Sequence, residues 1–127
     1  MLPGVLAACT RDGTRVGRAE SPDPDLERLV AWVAAVRSAG LAGADIALGR
    51  SAVRVGELAA GTPYEAATLE AYLRAGGSPA AREPLTLSLT RLDCVTLVEA
   101  CLAVARVAGD AGPPTWEIFG RAIERMR

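Results

Sequence analysis

Cys94 and Tyr64 have the type and placement to take part in nucleophilic chemistry. Cys94 follows an acid, Asp93, and opens the apolar run CVTLVEACLAVA; Tyr64 closes the segment Gly61-Thr62-Pro63-Tyr64. A cysteine attacks as its thiolate. The first turn of a helix favours that form, because its unpaired N–H groups and the positive end of the macrodipole face the sulfur. Cys94 falls where such a turn should begin, and Asp93 is suited to cap it by accepting from amides further on. Free cysteines, however, are most often buried small hydrophobes. That reading fits Cys101, in mid-helix among Ala100, Leu102 and Ala103, and on position alone it stays open for Cys94. The 127 residues contain no histidine, so an imidazole base for the thiol is not within them.

Positioning these residues falls to a mainly helical chain. Asp25 is expected to cap a first helix running to about Ser38, with Leu26, Leu29, Val30, Val33 and Val36 as its apolar stripe. Ser38-Ala39-Gly40 should end it. A second helical stretch is expected over about 44–60, carrying Ile46, Val53 and Leu58. Gly49 and Gly56 weaken it by up to ~1 kcal/mol each and could break it. Gly61-Thr62-Pro63 stops it, with the residue before proline pushed toward extended backbone. A short helix is expected over 68–74. Leu85, Leu87 and Leu89 alternate with Thr86, Ser88 and Thr90, a strand-period pattern that would deliver Cys94 at a strand-to-helix junction. The strongest helix follows, from Asp93 or Cys94 to about Val107, with Val95, Val98, Leu102 and Ala105 on one face and Leu97 and Val104 widening it. A last amphipathic helix uses Trp116, Phe119 and Ile123.

Composition narrows the classes. Hydrophobic residues make up 50% of the chain and charged residues 23%, which is globular rather than disordered. Net charge is −1 from 14 basic and 15 acidic residues, without the basic patch of a nucleic-acid binder. Aromatics at 4% leave little for base stacking and predict modest stability, since an Ala/Leu core buries less apolar area than a Phe-rich one. Cys94 and Cys101 on one helix would lie about 10 Å apart along its axis, too far for a disulfide. No histidine and no Cys-x-x-Cys leave zinc without a ligand set, and no cofactor is expected.

No stretch reaches the ~18 to 20 apolar residues of a membrane span. Leu6-Ala7-Ala8-Cys9 resembles a lipobox, in which the cysteine is lipidated. The apolar part before it is short and no basic residue precedes it. Two readings stand: an ordinary start with a chance match, or a lipobox whose leader lies upstream of Met1. On the second, Cys9 carries a lipid anchor, residues 1–24 form a leader and flexible tether, and the protein sits in the cell envelope or periplasm. On the first, localisation is open.

GTPYEAATLE (61–70), followed by EPLTLSLTRLDCVTLVEACLAVAR (83–106), resembles the bacterial N-acetylmuramoyl-L-alanine amidase-like family, of the NlpC-type branch of papain-like cysteine hydrolases. The chain keeps Gly61, Thr62, Pro63, Tyr64, Thr68, Leu69, Glu70, Leu92, Asp93, Cys94, Thr96, Val98 and Glu99 of its two motifs. It departs at Leu97, where the family usually has phenylalanine, a swap that keeps an apolar role. The resemblance spans roughly residues 26 to 127. It implies hydrolysis of the amide between the lactyl group of N-acetylmuramic acid and L-alanine in peptidoglycan fragments. Cys94 would attack the carbonyl, a histidine would carry the proton to the leaving amine, and amides at the helix start would hold the oxyanion. Tyr64, with Thr62 and Asp93, would support substrate or oxyanion; Glu70, Thr96 and Glu99 would be supporting residues. For Tyr64 a half-buried packing role is the competing reading. Thr96 suits local backbone hydrogen bonding better than substrate contact, and the two glutamates can serve as structural caps or pairs.

The complete family has an α+β papain-like fold with its histidine on a sheet downstream of the cysteine helix. Residues 25–127 then correspond to its amino-terminal part, mainly α-helical with at most a short strand near 85–90 and the histidine-bearing sheet missing. Two expectations follow. The chain by itself should be inactive by the Cys-His route, since losing a member of such a unit costs several orders of magnitude. The helix face along Val95, Val98 and Leu102 should stand exposed. The alternative is a catalytically inactive helical binding module.

Overall fold

The computed structural model of the chain describes residues 23–66 and 87–127. Among these residues there are four helices and no strand longer than an isolated bridge: α1 (Pro24–Ser38), α2 (Leu48–Leu58), α3 (Cys94–Gly109) and α4 (Trp116–Glu124). α3 is the central element and touches each of the other three. None of the helices is long and apolar enough to cross a membrane. The expected helix over 68–74, Leu85, Thr86, Glu70, Cys9 and the tether up to residue 22 lie outside the described residues.

The cap of α1 lies two residues earlier than expected. Asp23 is the N-cap, its Oδ1 accepting from the Asp25 amide at 3.0 Å, and Pro24 occupies the first turn. Proline suits that position because its fixed φ is already helical and its missing N–H would have no helical partner. Asp25 is freed for another role. The helix ends as expected: Gly40 (φ 71) adopts the left-handed conformation, its N–H bonding Arg37 O while Leu41 N bonds Val36 O. This is the Schellman arrangement, and it satisfies carbonyls that the last turn would otherwise orphan.

The buried stripe of α1 is rotated from the expected one. Leu29, Trp32, Val33 and Val36 are buried, whereas Leu26 and Val30 are 37% and 45% exposed. Trp32 offers the largest apolar area on the helix, and turning the helix to bury it moves Leu26 and Val30 outward. α2 is shorter than its expected span, starting at Leu48 after turns around 43–46, and it runs unbroken through Gly49 and Gly56. Its inward residues are Ser51 and Val55, not Val53, which is 64% exposed. Gly56 faces α3, where a Cβ would stand at an ordinary contact distance of 3.8 Å from Cys101 Sγ, so packing there does not require glycine. α2 packs on α3, whose Ala100, Ala103, Val104, Val107 and Ala108 are buried in the common core.

α4 follows expectation. Thr115 caps it, Oγ1 accepting from Ile118 N at 3.2 Å, and Phe119 and Ile123 are buried. Trp116 stacks obliquely on Phe119, with ring centroids 4.9 Å apart. The strand expected near 85–90 does not form over 87–90, which is irregular. Leu89 is fully buried and Leu87 packs on the core's edge, but the amides of Leu89 and Thr90 bond a side-chain carboxylate. Donors spent on a carboxylate cannot build a ladder.

A long-range tie joins the carboxyl end of α1 to that of α3. The Arg37 guanidinium, on α1, donates to Ala108 O (3.1 Å), Asp110 O (2.8 Å) and Gly112 O (2.9 Å), with a longer contact to Val107 O (3.4 Å). It thereby serves the carbonyls left over at the carboxyl end of α3, where a cation is also favoured by the macrodipole.

Candidate active site

The helix containing Cys94 is built by its cap. Asp93 is extended (φ −98, ψ −176) and 6% exposed, and its Oδ1 accepts from Val95 N (3.0 Å), Thr96 N (2.8 Å) and Thr96 Oγ1 (2.9 Å). Thr96 Oγ1 in turn accepts from Asp93 N at 2.9 Å. This reciprocal box satisfies the first-turn amides of Val95 and Thr96. It gives Asp93 and Thr96 architectural duties at the helix start.

Cys94 is thus the first residue of α3, and its side chain is exposed. Its own N–H has no hydrogen-bond partner among the described residues, so it is available to an incoming acceptor. Cys101, two turns on, is a buried free thiol. Burial pushes the Cys101 thiol above its ordinary pKa, against a smaller opposing effect of a backbone hydrogen bond. The two cysteines therefore differ in kind: one opens a helix at the surface, the other fills space against Gly56.

The fold brings the two sequence motifs together. Tyr64 and Leu92 form an isolated parallel bridge, with Glu65 N donating to Leu92 O (3.0 Å) and Leu92 N to Pro63 O (3.2 Å). Gly61, at φ 86, makes the turn out of α2 that starts this segment. The bridge sets Tyr64 beside the residue two before Cys94. The Tyr64 ring is 71% exposed, so it is not the half-buried packing residue of the competing reading, and its hydroxyl has no protein partner among the described residues. An exposed ion pair, Arg91 Nε to Glu65 Oε2 at 3.5 Å, flanks the bridge.

The remaining candidates are held in structural contacts. Thr62 Oγ1 accepts from Arg28 NH1 at 3.1 Å. Glu99 makes a two-pronged pair with Arg127, Nε to Oε1 at 3.2 Å and NH2 to Oε2 at 2.8 Å, both side chains mostly buried. Val95 and Val98 are 44% and 58% exposed and Leu102 is half-buried. The face of α3 along Val95, Val98 and Leu102 is therefore open at its first two positions.

Sequence reading missed a group of residues on α1 that bonds Thr62 and the segment 88–90. Asp25 was expected as a cap, but its Oδ1 accepts from Leu89 N (2.7 Å), Thr90 N (3.1 Å), Thr90 Oγ1 (3.1 Å) and Ser88 Oγ (3.3 Å). Arg28, one turn on, donates to Leu89 O at 3.0 Å as well as to Thr62, and its guanidinium lies 5.5 Å from the centre of the Trp32 ring. The available signal was two opposite charges three residues apart beside the apolar stripe, a spacing that shares one helix face. No protein-family model, curated protein or solved structure matches the chain.

Proposed function

We propose that this chain carries the nucleophile half of a papain-like cysteine amidase acting on muramoyl-L-alanine amides of peptidoglycan fragments. Cys94 is the nucleophile. Its thiolate adds to the lactyl carbonyl of N-acetylmuramic acid, the Cys94 amide receives the developing oxyanion, and the Tyr64 hydroxyl supports it or the substrate. The observation that supports this reading is the Tyr64–Leu92 bridge, which pairs the tyrosine of one motif with the residue two before the cysteine of the other, across a long stretch of chain. The exposure of Cys94 at the start of a capped helix is its chemical complement. The proton transfers to the leaving amine need a base, and none of the 127 residues is a histidine; on this reading the imidazole comes from outside them.

An activated substrate separates the nucleophile from the missing base. The p-nitrophenyl ester of N-acetylmuramic acid has a leaving group that departs without protonation. Cys94 is expected to attack it, expel p-nitrophenolate and retain a muramoyl thioester, read as a stoichiometric burst and an added muramoyl mass at Cys94. A Cys9→Ser background keeps the assignment clean. Labelling of Cys94 no faster than that of a cysteine in an unstructured peptide overturns the proposal. A second reading, a helical binding module, is favoured by the exposed Val95 and Val98; on it the ester shows no preference for Cys94.

A further inference from the structure

We infer that Asp25 and Arg28 are positioning residues for Cys94: together they form a polar clamp on the amino-terminal turns of α1 that holds the two motif segments in register. This inference rests on the amidase reading for its functional half.

A bridge of one residue pair with two hydrogen bonds is too small to fix its own register, since even a complete two-stranded hairpin is marginal in water. Something else must hold Pro63–Glu65 against Leu92. The same nitrogen of Arg28 donates to Thr62 Oγ1 (3.1 Å), one residue before that segment, and to Leu89 O (3.0 Å), three residues before Leu92. One planar guanidinium thus ties both approaches to the bridge. Asp25 completes the arrangement by accepting from Leu89 N and from the amide and hydroxyl of Thr90. Leu89 is then fixed at three points: N–H to Asp25, C=O to Arg28, and a fully buried side chain. From this anchor only five residues lead to Cys94.

The clamp's rigidity has its own support. Arg28 lies against the buried Trp32, which limits the rotamers open to a long side chain. Both charges sit on a helix fastened by Asp23 at one end and the Gly40 turn at the other. Both bonds come from the terminal nitrogen NH1, and the lysine ammonium lies one bond nearer the backbone and has no planar face to lay on Trp32, so lysine is a poor substitute.

The test uses the full chain with Cys9→Ser, comparing Arg28→Met, Arg28→Lys and Asp25→Asn with the parent. Amide exchange is measured at Glu65 and Leu92 and, as a reference, in the interior of α3. Cys94 labelling is measured with the muramoyl nitrophenyl ester and with iodoacetamide, which needs exposure but not alignment. Arg28→Met is expected to lower protection at Glu65 and Leu92 about tenfold while α3 interior protection holds. It should also lower the ester-to-iodoacetamide rate ratio about tenfold, with Arg28→Lys recovering only part of it. The inference is overturned if protection at Glu65 and Leu92 is unchanged, if it falls only in step with the α3 interior, or if the bridge loosens while the ratio stays constant. A parent protein with no preference for the ester sinks the amidase reading instead. The exchange data then decide by themselves whether the clamp holds the bridge.

Discussion

Replacing Asp93 separates the architecture of the helix start from its chemistry. In Asp93→Ala the amides of Val95 and Thr96 lose the acceptor they reach at 3.0 and 2.8 Å, and the Thr96 hydroxyl loses its partner at 2.9 Å. Loss of an N-cap acceptor costs about 1 kcal/mol, up to about 2. Here the cap is 6% exposed, so water replaces it poorly and the upper end applies. The broken box adds a smaller amount, giving ~2 kcal/mol for Asp93→Ala. Asp93→Asn keeps an acceptor of the same shape and should lose less than ~0.7 kcal/mol, since asparagine and aspartate cap about equally well. Urea denaturation followed by circular dichroism gives both values, and exchange of the Val95 and Thr96 amides shows where the loss is felt. A loss under ~0.5 kcal/mol for alanine, or equal losses for alanine and asparagine, would refute the view that hydrogen bonding at this cap builds the helix start.

Two further outcomes follow from the fold. Arg37→Met strips the carbonyls at the end of α3 of their guanidinium while keeping the apolar stem; with the partly exposed contacts replaced by water, a loss of ~2 kcal/mol is expected, seen as a fall of roughly 10 °C in melting temperature. Arg37→Lys should restore less than half of it, because one ammonium cannot serve three divergent carbonyls. For Cys101 the folded-state pKa lies above the ordinary thiol value of 9.0. The folded protein therefore holds this proton more tightly than the unfolded chain. Its contribution is intact below that value and is lost as pH rises toward the raised folded value. The stability gap between the parent and Cys101→Ala, measured in urea at pH 7 and pH 10, should accordingly shrink at the higher pH; parallel curves would contradict the assignment.

Much of the site's local structure was legible in the amino-acid order. The Asp93 cap, the start of α3 at Cys94, the Gly40 terminator and the Trp116/Phe119/Ile123 face all depend on residues within a turn or two of one another. What was not legible depended on what lay opposite. Asp25 has every property of a cap, and only the approach of Leu89 and Thr90 gives its carboxylate better donors. Leu87 to Thr90 alternates like a strand, but its donors go to that carboxylate. The outward turn of Leu26 and Val30 follows from burying Trp32, a choice the helix cannot make without its neighbours.

By itself the sequence determined where α1 stops and where α3 starts, and that a cysteine would open α3, because those caps and turns are contests among near neighbours in the chain. The tertiary structure alone decided that Tyr64 lies beside Leu92, that Arg28 ties Thr62 to Leu89, and which stripe of each helix is dry. Those outcomes turn on pairings between distant residues, whose donors, acceptors and apolar areas find their partners only when the chain closes on itself.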